Sequence, residues 1–366
     1  MLQGQRFLNT ARLAMIVMTL AAKLDLARPL RFLKRVQMVN AFDDEIIGRF
    51  TGKVYAADII ADDQEAVTYE AGKVELVTTG IPNVKLGSRI PQAVLNRMAA
   101  MSARSATGTE ENAMTAWENR LAENLVLGVR QRENAMVCAM MLDDFTYDRL
   151  GIKIVGTFGT PADLKVTVSV AWGANPTTAT PVSDILALVN HAATTYGQIY
   201  NRVTLSQANF IDMVKTTEFK NLAAGIFIQL QAAAAVNTGN LPMMQNIAGQ
   251  LLNMEVEIED ATFNEKRPDG SVKRSRVLPA NKVMLSNKDD DNNPMIMDLA
   301  NGIVTESLVA GLTGNAPEGL GGEQFGPIGY YTSRSDLNPP DVVGWGVARC
   351  FPRKHQPEAT AVLTVA

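Results

Sequence analysis

The sequence predicts an α+β fold in which an extended ribbon is followed by one very long helix and then by a mixed region. Residues 54–90 are rich in Val, Ile, Thr and Tyr and are interrupted by glycine and proline, as expected of strands joined by turns. Residues 110–142 contain no proline and place apolar side chains three and four positions apart. Beyond Gly151, short alternating stretches lie between segments that carry helix-capping residues. Together these patterns predict a chain built from both helices and sheets.

The predicted ribbon has no evident partner within its own chain. Its apolar side chains flank a predicted turn at residues 70–73, and they are Val67, Tyr69, Val74, Leu76 and Val77. An isolated hairpin is marginally stable in water and cannot bury both of its faces. We therefore expect residues 56–90 to project from their own subunit and to lie over a neighbouring copy. This expectation favours assembly over catalysis, and it predicts that hydrogen exchange at residues 62–80 is fast in free subunits and slow in the assembly.

The predicted long helix should be the stability anchor of the subunit. Thr109 is a suitable N-cap, and the carboxylates of Glu110 and Glu111 are favourable in a first turn. At 1.5 Å per residue the helix would be about 50 Å long. Gly128 lies inside it at a cost of about 1 kcal/mol relative to alanine, so we expect close packing or a bend there. One face is apolar, formed by Met114, Trp117, Leu121, Leu125, Val129, Met136 and Met140.

The mixed region has clear start and stop signals. A helix is predicted from Pro181, with proline at its first position and Gly197 after its end. A second helix is predicted from a Ser206 cap to Lys215. A hairpin with its turn at residues 268–270 is also predicted. The predicted strands are 152–158, 166–172, 200–205, 254–263, 272–285, 345–351 and 359–365.

Composition excludes several classes of protein. A length of 366 residues allows about two domains, and a net charge of −4 does not suit a polyanion binder. Nothing approaches the ~18 consecutive apolar residues of a membrane span. Cys138 and Cys350 are most simply free thiols in a reducing compartment.

The first 36 residues are basic. They contain one acidic residue, Asp25, against Arg6, Arg12, Lys23, Arg28, Arg31, Lys34 and Arg35. A signal peptide is disfavoured, because the cleavage motif after the apolar run 13–22 is poor and Lys23 follows at once. The alternatives are a helix packed on the body of the subunit and an arm that meets a scaffold or nucleic acid. We expect trimming of residues 1–22 to impair assembly more than subunit folding.

Catalytic and metal-binding signals are weak throughout. The two histidines, His191 and His355, are too few for a typical imidazole metal site, and the cysteines lack zinc spacing. The segment 289–293 is acidic, but Pro294 and Ala300 occupy the glycine and carboxylate positions of an EF-hand loop. No catalytic, cofactor or metal residue is predicted, and the chain is not expected to be an enzyme. A hydrolase using Cys350 and His355 remains the alternative from a different class.

The order of the segments resembles the major capsid proteins of tailed bacteriophages, most closely the lambda-like branch. The ribbon Val54–Ile90 followed by the helix 109–144 is similar to the extended loop and spine helix of that family. Trp172, the helix 181–196 and the segment 200–215 are similar to its apical region. The phrase L-P-x-N-x-x-x-L, which recurs in this branch, is present here within RVLPANKVMLSN.

The resemblance implies hexamers and pentamers that close into an icosahedral shell around double-stranded DNA. Scaffold, portal and decoration proteins are the further partners implied, with assembly in the host cytoplasm, a maturation step and a final location in the virion. An encapsulin-like protein nanocompartment is the rival within the same fold. Some relatives join the loop covalently to a neighbour through a lysine. Lys73 and Lys85 lie in the ribbon without a recognisable reaction partner, so we predict non-covalent contacts and a single gel band near the 39.6 kDa monomer.

The implied domains follow the family order. They are an amino-terminal arm at 1–50, an extended β-hairpin loop at 51–93, a peripheral domain at 94–165 that holds the spine helix 110–142 and a long β-sheet, an apical domain at 166–340 with peripheral strands interleaved at about 254–285, and closing strands of either domain at 341–366.

Overall fold

The computed structural model describes residues 10–25, 36–38, 44–51, 73–80, 82–103, 108–149, 152–156, 158–227, 241–266, 271–287, 297–302, 304, 328–334 and 341–365. The chain divides into two compact units. Unit 1 comprises Met1–Ile46, Thr78–Met136 and Asp298–Pro352, and unit 2 comprises Ile47–Val77, Val137–Met297 and Arg353–Ala366.

Seven helices lie within the described residues. They are α1 (Thr10–Asp25), α2 (Gln92–Ala103), α3 (Gly108–Met141), α4 (Pro181–Tyr196), α5 (Gln207–Lys215), α6 (Thr217–Phe227) and α7 (Leu241–Leu252). Short 3-10 turns occupy Ala162–Leu164 and Pro357–Ala359.

Sixteen strands are described. The first eight are β1 (Val36–Met38), β2 (Asp44–Thr51), β3 (Lys73–Gly80), β4 (Asn83–Arg89), β5 (Phe145–Arg149), β6 (Ile152–Gly156), β7 (Lys165–Thr167) and β8 (Arg202–Leu205). The remainder are β9 (Glu255–Ile258), β10 (Thr262–Lys266), β11 (Val272–Arg276), β12 (Lys282–Ser286), β13 (Met297–Asn301), β14 (Ile328–Arg334), β15 (Asp341–Lys354) and β16 (Thr360–Thr364).

The predicted long helix is present as the 34 residues of α3. Every residue of its predicted apolar face is buried except Trp117, which is half-buried. Glu110 and Glu111 lie in the first turn as expected. The helix begins at Gly108, so Thr109 lies inside it and is not the N-cap, contrary to the prediction. The apolar periodicity therefore identified the helix and its buried face, and missed its start by a short distance.

Unit 1 contains a sheet in the order β1-β13-β15-β14, with β4 also paired to β15. β4 and β14 each run antiparallel to the long strand β15, and β1 runs parallel to β13. Helices α1 and α3 contact this sheet on the side of Gly329, Gly344 and Gly346. The core between them contains Leu13, Val17, Ile90, Met98, Met101, Met114, Leu121, Ala122, Leu125, Val126 and Val342.

The last part of the predicted ribbon does not project from its own subunit as expected. β4 is hydrogen bonded along its length to β15, with Arg89 opposite Val343 and Asn83 opposite Arg349. Residues 83–89 therefore belong to a sheet of their own subunit and do not project from it. β3 pairs with β2, which precedes the predicted ribbon. The predicted turn at 70–73 and most of the ribbon before it lie outside the described residues.

Unit 2 contains a five-stranded sheet in the order β7-β16-β12-β8-β9. The predicted helix signals are confirmed there. Pro181 occupies the first turn of α4, Gly197 ends it at φ +69°, and the Ser206 side chain accepts from the Asn209 backbone N–H at 3.2 Å. The core of unit 2 is built from this sheet and from α4–α7, and its largest fully buried side chains include Trp172, Tyr200, Phe210 and Phe219.

The predicted hairpin around residues 268–270 is shorter than expected. Only β10 and β11 pair across it, with Lys266 opposite Val272 and Thr262 opposite Arg276. The flanking strands β9 and β12 instead pair with β8 in the sheet of unit 2. The expectation that peripheral-domain strands interleave at about residues 254–285 stays a prediction. Strands β9 and β12 lie in the same sheet as β8, which is within the predicted apical segment. The closing strands 341–366 divide between the units at Pro352.

Candidate assembly surfaces

Glycines allow α3 to approach the unit 1 sheet closely. A Cβ at Gly346 would lie 3.0 Å from the Cβ of Leu125, and a Cβ at Gly344 would lie 3.4 Å from a methyl group of Leu121. The side chain of Leu86 fills the space beside Gly128 on the helix. The close packing expected at Gly128 is thus confirmed.

An aromatic cluster lies beside β4 in the same unit. The Lys85 ammonium lies 4.7 Å from the ring centroid of Trp345 and 5.3 Å from that of Tyr330. Trp345 Nε1 donates to Thr332 Oγ1 at 2.7 Å, which holds the indole in place over Gly87. A lysine held by cation–π contacts in its own subunit is poorly placed to react with a neighbour. This geometry supports the prediction of non-covalent contacts as far as Lys85 is concerned.

The amino-terminal helix α1 is part of the core of unit 1. Leu13 and Val17 are 2% and 0% exposed. Arg12 Nε lies 3.3 Å from the buried Glu118 carboxylate of α3, and Arg12 Nη2 donates to Thr115 Oγ1 at 3.2 Å. The expectation that trimming residues 1–22 impairs assembly more than subunit folding stays a prediction. The packing of residues 12–20 opposes it, because their removal would open the core and remove the Arg12 contact of Glu118. The packed-helix alternative is the correct one for this segment.

The environment of Cys350 opposes a role as a nucleophile. Its thiol is fully buried, and burial together with the neighbouring Glu133 carboxylate raises its pKa well above the ordinary value. Glu133 also forms a buried ion pair with Arg130 at 2.5 Å. A catalytic cysteine needs an accessible, low-pKa thiolate, and Cys350 has the opposite properties. Cys138 is likewise buried and free.

Two carboxylates of unit 2, Asp143 and Glu218, hold neighbouring segments in place. Asp143, at φ +54°, receives the Phe158 backbone N–H and lies 2.7 Å from Lys165 Nζ. Glu218 of α6 accepts from the backbone N–H groups of Val182 and Ser183 at 2.9 and 3.1 Å. A carboxylate at that position neutralises the exposed donors at the start of α4 and is favoured by the helix dipole.

His191 forms an exposed cluster on unit 2. Its Nε2 lies 2.8 Å from Asp163, and the Tyr196 hydroxyl donates to the same carboxylate at 2.7 Å. These two hydrogen bonds lower the pKa of Asp163, while burial and the Asp163 charge raise the pKa of Tyr196 to about 12. The cluster ties the turn before β7 to the end of α4.

Within the described ranges no group of His, Cys, Asp and Glu residues is arranged to hold a metal ion. The acidic segment 289–293 lies outside those ranges. No described helix is both long and apolar enough to span a membrane.

Comparison with known proteins decides the family. Residues 46–297, more than half of the chain, match the family model described as phage major capsid protein E. The chain belongs to this family. Its role is therefore a structural one in a phage capsid shell, and the phage capsid prediction is confirmed. The lambda-like branch stays a prediction.

Solved structures confirm the fold. A protein assigned as the capsid protein of a prophage of Escherichia coli CFT073 has a TM-score of 0.58 at 14% identity, with 98% of this chain and 99% of that chain covered. A phage-related protein from Bordetella bronchiseptica RB50 has a TM-score of 0.53 at 13% identity, with 95% and 97% covered. No curated protein is significantly similar to the chain.

Sequence reasoning missed the buried charges of this capsid protein. Glu118, Arg130, Glu133, Asp143 and Lys354 are all buried. In the sequence each of them resembles an ordinary surface charge. Arg130 and Glu133 are three residues apart on α3, a spacing that could have indicated their pairing, but nothing in the sequence shows that the pair is buried. Only the fold brings together pairs such as Arg12 and Glu118, which are far apart along the chain.

Proposed function

We propose that this chain is the major subunit of an icosahedral shell, in which copies form hexamers and pentamers around double-stranded DNA. The observation that carries the proposal is the family match across residues 46–297. The fold shared with the prophage capsid protein over nearly all of both chains supports it. We infer that the shell is a virion component assembled in the host cytoplasm.

The two units suit the two capsid domains. Unit 1 holds most of α3 and the sheet built on the long strand β15, as proposed for the peripheral domain. Unit 2 holds the five-stranded sheet with α4–α7, as proposed for the apical domain. The paired strands β2 and β3 are then the base of the extended loop.

The charge of the chain suits a container. A net charge of −4 gives the subunit no overall attraction to phosphate, so packaged DNA would be enclosed with few salt-sensitive contacts. Overlap between copies buries more surface than contact at their edges alone and would supply the stability of the shell. Scaffold, portal and decoration proteins are the proposed further partners.

Electron microscopy of the purified chain tests the shell. We expect closed particles with five-fold vertices, and a protein that stays monomeric at high concentration under all conditions would contradict the proposal. Nuclease-protected double-stranded DNA inside particles recovered from producing cells tests the contents. Particles filled with protein cargo would instead indicate a nanocompartment. The rival hydrolase would depend on Cys350, so Cys350→Ala should cause no loss of hydrolytic activity if the protein is structural.

A further inference from the structure

The β10–β11 hairpin forms a two-stranded sheet of its own. Among the described residues its two strands pair only with each other. Directly opposite residues of an antiparallel pair share a face, so Val272, Arg274 and Arg276 lie on one face with Asn264 and Thr262. Val272 is 65% exposed on that face. A two-stranded hairpin of this kind is marginal by itself, so contact with another surface would stabilise it.

Polar contacts hold the base of the hairpin in position. Arg276 Nη1 forms an ion pair with Asp260 at 2.8 Å, and Arg274 Nε donates to Thr262 Oγ1 at 3.0 Å. No carboxylate contacts Arg274 within the described part of the chain. The hairpin therefore presents an apolar group and a cation, two residues apart, on one face.

A groove on the same unit has the complementary features. It has a volume of about 760 Å³ and lies between α7 and the start of β9. Its α7 side carries the uncharged polar residues Gln245, Asn246 and Gln250, and Asn253 follows directly after the helix. At its rim the Glu255 side chain is 49% exposed, and its carboxylate forms an ion pair with Arg202 Nε at 3.7 Å. Asn201 lines the groove, and its carbonyl accepts the Glu255 N–H at 2.8 Å. Ile199, which is 73% exposed, lies two residues before Asn201 and therefore next to the groove lining along the chain.

The groove also follows an open sheet edge. β9 ends the sheet, and Glu255 and Glu259 point their N–H groups toward the preceding strand segment at Asn201 and Leu205. By alternation, Val256 and Ile258 direct their main-chain groups away from β8. The Gln245 amide reaches the outward carbonyl of Val256. This bond occupies that carbonyl within its own subunit, so the groove offers its remaining amide side chains to another polypeptide. The groove lining contains no basic residue, which does not suit nucleic acid.

We propose that the β10–β11 hairpin of one copy docks in the α7–β9 groove of a neighbouring copy, with Val272 against Ile199 and Arg274 against Glu255. Val272 and Ile199 are the two most exposed large hydrophobic residues of the described chain. The hairpin and the groove are different surfaces of the same subunit, so the contact is head-to-tail and can close a ring. The proposal rests on the shell function proposed above, since it assigns a contact within the assembled particle.

Cysteine cross-linking tests the apolar pair. Both native thiols are buried, so a Val272→Cys, Ile199→Cys double variant presents the only accessible thiols among the described residues. After treatment of assembled particles with a short bis-maleimide, we expect a ladder of covalent multimers on a denaturing gel. Each single variant, and Val272→Cys combined with Leu222→Cys on exposed α6, should give monomer alone. Assembled particles of the double variant that also give monomer alone would overturn the proposal.

Charge reversal tests the polar pair independently of cross-linking. Arg274→Glu should lower particle yield at least tenfold, and addition of Glu255→Arg should restore it. Lys273→Glu, on the opposite face of the hairpin, is the matched control and should have little effect. An unchanged yield for Arg274→Glu, or no recovery in the double variant, would refute the contact. Arg274→Glu particles that form in normal yield but protect less DNA would refute the contact and assign the hairpin to nucleic acid instead.

Shells of the unmodified chain are the reference for both experiments. Shells without a ladder refute this contact and leave the proposed function intact. Absence of shells from the unmodified chain refutes the proposed function and this contact with it.

Discussion

Replacement of Gly346 by alanine should destabilise the subunit by about 1–3 kcal/mol through overpacking. The new Cβ would lie 3.0 Å from Leu125 Cβ, 3.2 Å from Leu125 O and 3.4 Å from its carbonyl carbon. Two of these atoms belong to the backbone of α3, so no rotation of a side chain relieves the contact. Denaturant unfolding of the soluble subunit, followed by circular dichroism, measures the change.

A matched glycine separates this effect from general conformational effects. Gly225 lies in the last turn of α6, with no atom within 4 Å of a Cβ built there. Gly225→Ala should therefore stabilise the protein by up to about 1 kcal/mol through helix propensity. The same substitution is thus expected to have opposite signs at the two positions.

Double variants locate the clash atom by atom. Leu125→Ala keeps the Cβ, carbonyl carbon and oxygen that contact Gly346, so it should not relieve Gly346→Ala. At Gly128 the obstructing atom is a terminal methyl of Leu86, whose side chain is 40% exposed and free to rotate. Gly128→Ala should therefore be nearly neutral. A Gly346→Ala subunit as stable as its parent, or one rescued by Leu125→Ala, would refute the packing of α3 on β15.

Four further predictions concern the core of α3, the amino-terminal helix and the assembled particle. Leu125→Ala should lower the unfolding free energy by about 2–5 kcal/mol because the side chain is fully buried. Asn124→Ala, on the exposed face, should change it by less than about 0.5 kcal/mol. Equal effects would refute the assignment of the buried face of α3. Deletion of residues 1–22 should reduce the yield of soluble subunit, measured by size-exclusion chromatography, and an unaffected subunit would show that α1 is not core. Mature particles should give one band near 39.6 kDa on a denaturing gel, and a ladder of multimers would contradict non-covalent assembly. Hydrogen exchange at residues 62–80 should slow on assembly, and identical exchange in free subunits and shells would contradict that expectation.

Local patterns were sufficient wherever one segment carried its own signal. The apolar spacing of α3 repeats over 34 residues, so its face could be read without knowledge of its partner. Pro181 at the start of α4 has no N–H that would need a partner. The Gly197 N–H and the Ser206 side chain each bond a backbone group within a few residues of themselves. Such contacts are short-range, so they could be predicted from the sequence alone.

Strand partners could not be obtained in the same way. The alternation in residues 83–89 fitted a projecting ribbon as well as a strand paired to β15, because a strand pattern specifies faces and leaves the partner open. For the same reason β9 and β12 were assigned to one hairpin although both pair with β8. Pairing is decided by hydrogen bonds between segments distant in sequence.

The sequence by itself determined the class of protein, the long helix, the capped helices of unit 2 and the absence of a recognisable catalytic motif. The tertiary structure decided that α1 is core, that β4 joins its own subunit's sheet, and that Cys350 is buried beside Glu133. The physical reason is the range of the interactions. Helix periodicity and capping act over a few residues, whereas burial, strand pairing and the environment of a charge depend on which distant segments the fold brings into contact.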